Sequence, residues 1–340
     1  MAEQSHVRLS IIIPCYNVED YIERCISSIY ASDLDNSDFE IICVDDCSTD
    51  STWDILSDLK REHTNFHSFH HLNNCRQGGA RNTGIHLAQG KFIWFVDADD
   101  EIFHTGVKRA LDIALEKNLD VLCFNYQRIN QNSVPLSEYR VYSDTDVMDG
   151  YSFVRQVFGK NIINYIGYTV LFFYRTSYIR SIKLYFPVKV CWEDTVYMPK
   201  GIFSANRISS ISNILYSYRI NPNSDTSTFV KSYPARLIFD WVFPTGKDLL
   251  TFAESLEDKE YQQVLHDYGI KKHYNALALQ LFRTTKNERR AFYKIIQEEK
   301  EELKASMHYF STLNRLLVTP LIGPLVADAG SFFYKTTHHK

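Results

Sequence analysis

Over its first 125 residues the chain alternates short apolar runs with amphipathic stretches, and that alternation most constrains what it can fold into. RLSIIIP is an apolar run closed by Pro14, and DYIERCISSIY then sets Ile22, Cys25, Ile26 and Ile29 at helical spacing. FEIICV reads as a second strand, and STDSTWDILSDL opens with cap-forming Ser, Thr and Asp before Trp53, Leu56 and Leu59. NFHSFHH is a weaker third strand. GGARNTGIHLA is a helix entered through glycines, and KFIWFV is a strand apolar on both faces. GVKRALDIALEKN then puts Val107, Ala110, Leu111 and Ala114 on one stripe before the strand DVLCFN. Such a series predicts an α/β fold with a mainly parallel central sheet covered on both faces. Ligands on these sheets sit beyond the carboxyl ends of the strands, where PCYN, DDCS and DADD all fall.

Past residue 126 the pattern loosens. QNSVPLSEYRVYSDTD reads as loop, GYSFVRQVF as a short helix, CWEDTVYMPKGIFSA as a helix entered near its acidic pair, and RISSISNILYSYRINPNS as extended. Beyond about residue 231 the chain reads as mostly helical, with charged faces such as KNERRAFYKIIQEEKEELK. The 340 residues suffice for one large or two medium domains, and 45% hydrophobic content is that of an ordinary globular protein. Net charge is −4, from 37 basic and 41 acidic residues, so bulk electrostatics do not point to nucleic acid. The opening MAEQSHVRLS lacks a basic stretch followed by a long apolar core, so no secretory signal is expected. Seven scattered cysteines without C-x-x-C then read as reduced, packed thiols; Cys43 and Cys47 near His70 and His71 have poor spacing for zinc.

The most informative detail is FIWFVDADDEI, in which a buried-type strand ends in four carboxylates over five positions, Asp97 to Glu101. Two unit charges about 5 Å apart repel by roughly 3 kcal/mol at an effective dielectric of 20. DDCSTDS alone could be a helix N-cap, and DADDE an acidic helix N-terminus favoured by the dipole. Both lie at one edge of one sheet, however, and a divalent cation with oxygen ligands would offset their repulsion. A G-x-G-x-x-G turn and a Walker loop are both absent, which leaves a nucleotide site lined by aromatic and acidic groups, its diphosphate held through a metal.

LSIIIPCYNVEDYIERCISSI, EIICVDDCSTDST, NCRQGGARNTGIHLAQGKFIWFVDADD, WEDTVYMP and YSYRINPNS, in that order, closely resemble family 2 glycosyltransferases over residues 9 to 226. The resemblance implies a GT-A-type nucleotide-sugar-binding fold, an inverting mechanism and a nucleotide-sugar donor, with a UDP-sugar expected. It implies that Pro14 borders and Tyr16 stacks on the nucleobase, and that Asp46, with Asp45 beside it, hydrogen-bonds the base. Asp97 and Asp99 match the family's Asp-x-Asp, the first near the ribose and the second ligating Mn2+ or Mg2+, with Asp100 close enough to reach the sugar. Asp194 falls where the family keeps its general base, with Glu193 adjacent. Arg76 stands where the family often has Gly.

Three regions are expected: 1–125 as the nucleotide-sugar-binding half, 126–230 as the acceptor-binding half with the general base, and 231–340 as a helical C-terminal extension. The expected partners are a nucleotide-sugar donor and a saccharide or lipid-linked saccharide acceptor, in surface polysaccharide or glycan synthesis. The chain is expected in the cytoplasm. Its apolar tail, STLNRLLVTPLIGPLVADAGSFFYK, is broken by Pro320, Gly323 and Pro324, so it is not one spanning helix. Packing on the catalytic domain is the preferred reading of that tail, over a homodimer contact or a peripheral contact at the inner face of the membrane. A non-catalytic sugar-nucleotide-binding module and a phosphoryl or nucleotidyl transferase on a similar fold are the alternatives.

Overall fold

A computed structural model describes residues 7–159, 168–221, 240, 243–270, 285–298 and a few positions between 315 and 331. The alternation becomes β1 (Leu9–Cys15), α1 (Ile22–Tyr30), β2 (Phe39–Asp45), α2 (Thr52–Glu62), β3 (Phe66–His70), α3 (Arg76–Leu87) and β4 (Phe92–Phe95). Every residue of β1, β2 and β4 is buried, which is why these strands read as unbroken apolar runs. β1 extends through Pro14 to Cys15. The Ile12 carbonyl accepts from Val96 N–H, so Pro14, two residues on, faces the same side, where the β4 ladder has already ended at Phe95. Its missing N–H therefore removes no ladder bond.

The chain continues through β5 (Glu101–Ile102), α4 (Val107–Glu116), β6 (Val121–Ile129), β7 (Pro135–Tyr139), α5 (Gly150–Phe153), β8 (Phe172–Arg175), α6 (Thr176–Ser181), α7 (Asp194–Phe203) and β9 (Ile208–Arg219). The sheet order is β3-β2-β1-β4-β8-β6-β9-β5, with β7 also on β6. β3, β2, β1, β4, β6 and β9 point one way; β8, β7 and β5 run against them. The mainly parallel sheet is therefore present, with β8 inserted antiparallel between β4 and β6. Trp94 anchors this junction, edge-on to Phe124 and Phe173 with ring centroids 5.3 and 5.1 Å away, its indole N–H donating to the Val170 carbonyl at 2.8 Å.

Two local readings differ from the structure. PLSEY, expected as loop, is β7; it pairs only with β6 and is exposed at four of its five positions, so it carries no apolar alternation to detect. DADDE does not begin a helix. Asp97 to Asp100 is a turn closed by Asp100 N–H to the Asp97 carbonyl at 3.0 Å, and it leads into β5, antiparallel to β9. No helix dipole is available there to relieve the carboxylates.

The contacts divide the chain into two units. One contains the sheet and runs to Asn221 apart from Val190–Trp192; the other comprises Val190–Trp192 and the chain from Pro222. The described elements of the second are helices, α8 (Phe243–Ser255), α9 (Lys259–Gly269) and α10 (Lys286–Glu298), in line with the reading past residue 231. Asp258 caps α9, accepting from Glu260 and Tyr261 N–H. Most of the apolar tail lies outside the described residues, and with it the choice between packing, dimer and membrane contact. Among the described residues no helix is long and apolar enough to cross a membrane.

α3 approaches β1 at Gly84, where a Cβ would stand 2.3 Å from Cγ2 of Ile12 and within 3.1 Å of two further Ile12 carbons. A β-branched side chain fully buried in the sheet has few rotamers with which to yield. Gly84→Ala is expected to destabilise the protein by about 1–3 kcal/mol through overpacking, read as a lower denaturant midpoint; an unchanged midpoint would mean that α3 shifts freely over the sheet.

Candidate active site

The carboxyl edge is assembled first by loops that tie to one another. Asn17, in left-handed backbone at φ 52°, accepts from Thr49 N–H at 2.8 Å, while its own N–H donates to Ser48 Oγ at 3.0 Å. Glu19 accepts from Ser51 N–H at 2.9 Å. These bonds hold the loops after β1 and β2 side by side. Pro14 is buried within β1, and Tyr16 projects just past its end, 49% exposed.

Asp45 and Asp46 lie at the end of β2, both buried. Asp45 Oδ2 pairs with His70 Nδ1 at 2.7 Å. Asp46 Oδ1 accepts Cys75 N–H at 2.8 Å and meets His71 Nδ1 at 2.8 Å, while His71 Nε2 sits 2.9 Å from the Thr83 hydroxyl. Asp46, His71 and Cys75 each offer a ligand atom within 4.8 Å of the others. Hydrogen bonding already accounts for that grouping, since Asp46 Oδ1 and both His71 nitrogens have partners. Cys43 is buried elsewhere in β2, and no disulfide joins the seven cysteines. Asp45 Oδ1 and Asp46 Oδ2 are buried without a hydrogen-bond partner. Such acceptors are costly unless a ligand donates to them.

The turn after β4 separates its carboxylates into distinct environments. Asp100 is 2% exposed; its Oδ2 accepts the Tyr216 hydroxyl at 2.6 Å and its Oδ1 accepts Arg219 N–H at 2.7 Å. Burial, then Asp99 and Asp97, push its carboxyl well up. Arg219, 1% exposed, is clamped from below: its Nε donates to the Asp99 carbonyl at 2.8 Å, its Nη1 to the Asn130 and Gln131 carbonyls, and its Nη2 to Glu101. Asp99 is only half-buried, with Asn221 Nδ2 at 3.4 Å from its Oδ2. Burial, then Asp97, push its carboxyl up to about 6.

Asp97 faces the other guanidinium. Arg81, on α3 and 3% exposed, donates to Asp97 at 2.7 Å and to Glu193 at 2.5 Å, and its Cζ lies 5.2 Å from the centre of the Phe186 ring. Burial would lower Arg81, but Asp97, Glu193 and Asp194 together hold it above its ordinary value. The acidic pair at the start of α7 is thereby split. Glu193 is buried and salt-bridged, whereas Asp194 is half-exposed and close enough to Arg81 to feel its charge. Asp97 and Asp99 are thus gathered at one edge with the α7 acids, while Asp100 lies beneath them with both oxygens engaged. Arg81, Tyr216, Arg219 and Asn221 were missed as site residues in the sequence. All four stand in its motifs, GGARN and YSYRINPNS, but nothing in a linear motif shows which acid each one meets.

A mainly parallel sheet of this order, with acids from two strand ends and from the start of α7 on its carboxyl edge, defines a GT-A-like fold. The Glycosyl transferase family 2 model matches residues 10–182, about half of the chain, and the chain belongs to that family. It is 31% identical over 222 residues to the poly(ribitol-phosphate) beta-glucosyltransferase of Bacillus spizizenii, covering 64% of this chain and 33% of that protein. It is 30% identical to EpsJ of Bacillus subtilis, an uncharacterized glycosyltransferase, over 68% of this chain and 69% of that one. In fold it resembles TarS of Staphylococcus aureus, solved in complex with UDP-GlcNAc, with TM-score 0.66, 23% identity and coverage of 97% of this chain and 92% of that one. The chain spans about a third of the length of the first relatives it matches.

Removing one partner of a buried ion pair leaves the other charge uncompensated, at about 3–5 kcal/mol. Arg81→Met is therefore expected to lower stability by that order, and Arg81→Met with Glu193→Gln by less than the sum of the single changes, measured as a denaturant double-mutant cycle. Additive losses would show that the two side chains act independently.

Proposed function

We propose that the chain transfers a sugar from a UDP-sugar to a saccharide hydroxyl with inversion, in surface polysaccharide synthesis. The observation that carries this is the Arg81 bridge, which holds the acidic pair of α7 against the Asp97–Asp99 turn. Family membership supports the reaction class. The beta-glucosyltransferase activity named for one relative and the UDP-GlcNAc held by the staphylococcal structure support the choice of donor.

In this reading Tyr16 stacks on the base, Pro14 shapes the floor beneath it, and the unpartnered Asp46 Oδ2 accepts a base N–H, with Asp45 behind it. Asp97 reaches the ribose and Asp99 the cation. All-oxygen donors and a half-buried Asp99 whose carboxyl is pushed up by burial and by Asp97 suit a hard divalent ion, Mn2+ or Mg2+. That ion would supply charge relief for the departing diphosphate. Asp100 holds the turn through Tyr216 and Arg219 instead of touching the donor. Glu193, neutralised by Arg81, positions α7; Asp194, left half-exposed, takes the proton of the acceptor hydroxyl as it attacks the anomeric carbon.

Asp194→Asn is expected to keep donor affinity and lose transfer by about 10²–10⁴-fold, with Glu193→Gln milder. Product analysis should show inverted configuration and release of a nucleoside diphosphate. Near-normal transfer by Asp194→Asn would favour a binding module, and release of a nucleoside monophosphate or pyrophosphate a phosphoryl or nucleotidyl transferase.

The raised Asp99 carboxyl gives a second test. Its folded value of about 6 exceeds the ordinary 3.8, so the native state binds this proton more tightly than the unfolded chain. Its contribution to stability therefore falls as pH rises from about 4 to 6 and stays lost above that range. Asp99→Asn should raise the thermal midpoint at pH 7.5 without metal by roughly 2–4 °C, and abolish the stabilisation given by Mn2+ with UDP. A variant that still responds to Mn2+ would move the ligand elsewhere.

A further inference from the structure

The sheet face that carries Tyr216 to Asp97 and Asp100 continues past them. Parallel pairing sets Tyr126 beside Tyr216 and Arg128 beside Tyr218, and antiparallel pairing sets Tyr139 across from Tyr126. Residues two apart share a face, so Tyr126, Arg128, Tyr139 and Tyr218 lie on the side that holds the carboxylate turn. Their rings form an array. Tyr126 stacks on Tyr139 at 4.9 Å and 10°, stacks on Tyr168 at 6.0 Å and 26°, and meets Tyr218 edge-on at 6.5 Å. Tyr126 is buried at the centre, whereas Tyr168 is 37% exposed and Tyr139 and Tyr218 are half-buried, so the outer rings open to solvent. At its inner end, Tyr218 is near enough to Asp100, Asp99 and Asp97 to feel their charge.

Arg128 lies within the array, its Cζ 4.4 Å from the centre of the Tyr139 ring and its charge close enough to be felt by the Tyr126 and Tyr218 hydroxyls. Among the described residues no carboxylate pairs with it, and its Nε is buried without a partner. A half-buried guanidinium held by rings, not by an acid, is a ready counter-charge for a ligand carboxylate, whose planar fork it matches. Open tyrosine faces leading from a transfer centre suit the C–H face of a sugar ring. The nucleobase, the other ligand that would stack there, has its place at Tyr16 beyond β1, separated from β6 in the sheet by β4 and β8.

We propose that Tyr139, Tyr168 and Tyr218, backed by the buried Tyr126, form the acceptor platform, on which an acidic saccharide stacks with its carboxylate on Arg128 and its reacting end toward the Asp97–Asp99 turn. This rests on the glycosyltransferase reading above and adds the chemical class of the acceptor.

The test is a ligand-observed NMR titration of the full chain with methyl β-D-glucuronide and methyl β-D-glucoside, with UDP titrated in parallel. The glucuronide should bind more tightly than the glucoside. Tyr139→Ala should weaken both by about tenfold and Tyr139→Trp should restore them, while Arg128→Gln should erase the preference for the acid. UDP affinity should be unchanged in these variants, and each should keep a cooperative thermal transition. Equal binding of the two sugars, failure of both to bind the unaltered chain, or indifference to Tyr139→Ala would overturn the platform. If UDP binds and the sugars do not, the platform alone falls; if the glucuronide binds as expected and UDP does not, the donor reading falls and the platform stands.

Discussion

The structure depends on how two buried guanidiniums manage the carboxylates that end β4. Asp97, Asp99, Asp100 and Glu101 occupy four of five consecutive positions, and no helix N-terminus stands there to offset them. Arg219 rises from the end of β9 and holds the Asp99 carbonyl, Asp100 through its backbone N–H, and Glu101. Arg81 comes from α3 and takes Asp97. Asp99 has Asn221 at 3.4 Å and no guanidinium on its carboxylate, which burial and Asp97 push up to about 6. The repulsion is thus concentrated on one half-buried group, where a divalent ion would relieve it.

The same two arginines link distant parts of the chain. Arg81 spans 112 residues to Glu193 and Arg219 spans 118 to Glu101, so each buried cation closes a long loop onto one turn. Their buried positions make the geometry stiff, because neither charge can leave its partners without desolvation loss. Gly78 shows the same tightness: a Cβ there would meet the Pro187 carbonyl at 2.3 Å, so α3 lies directly against the segment that leads to α7. The apolar sheet supplies the rigid base, and the arginines set where the acids stand upon it.

Much of this was legible in the residue order. Unbroken apolar runs alternating with amphipathic stretches established a parallel α/β sheet, because strands covered on both faces need apolar side chains throughout. The polar clusters at three strand ends, PCYN, DDCS and DADD, marked its working edge, since turns beyond carboxyl ends are where such sheets bind ligands. The motifs in order identified the family. β7 escaped because an exposed edge strand has no buried face to pattern it, and β8 because its four-residue aromatic run, FFYR, does not reveal an antiparallel insertion.

Only the tertiary structure assigned different environments to chemically identical neighbours. Asp99 and Asp100 are adjacent aspartates, yet one is half-exposed at the edge and the other buried between Tyr216 and Arg219. Glu193 and Asp194 are adjacent acids, yet one is neutralised by Arg81 and the other left half-exposed. Local sequence determines which residue types reach the edge, because strand length and turn chemistry act over a few positions. That Glu193 meets Arg81 and Glu101 meets Arg219 is decided by contacts between residues more than a hundred positions apart, and nothing in the residue order encodes that distance in space.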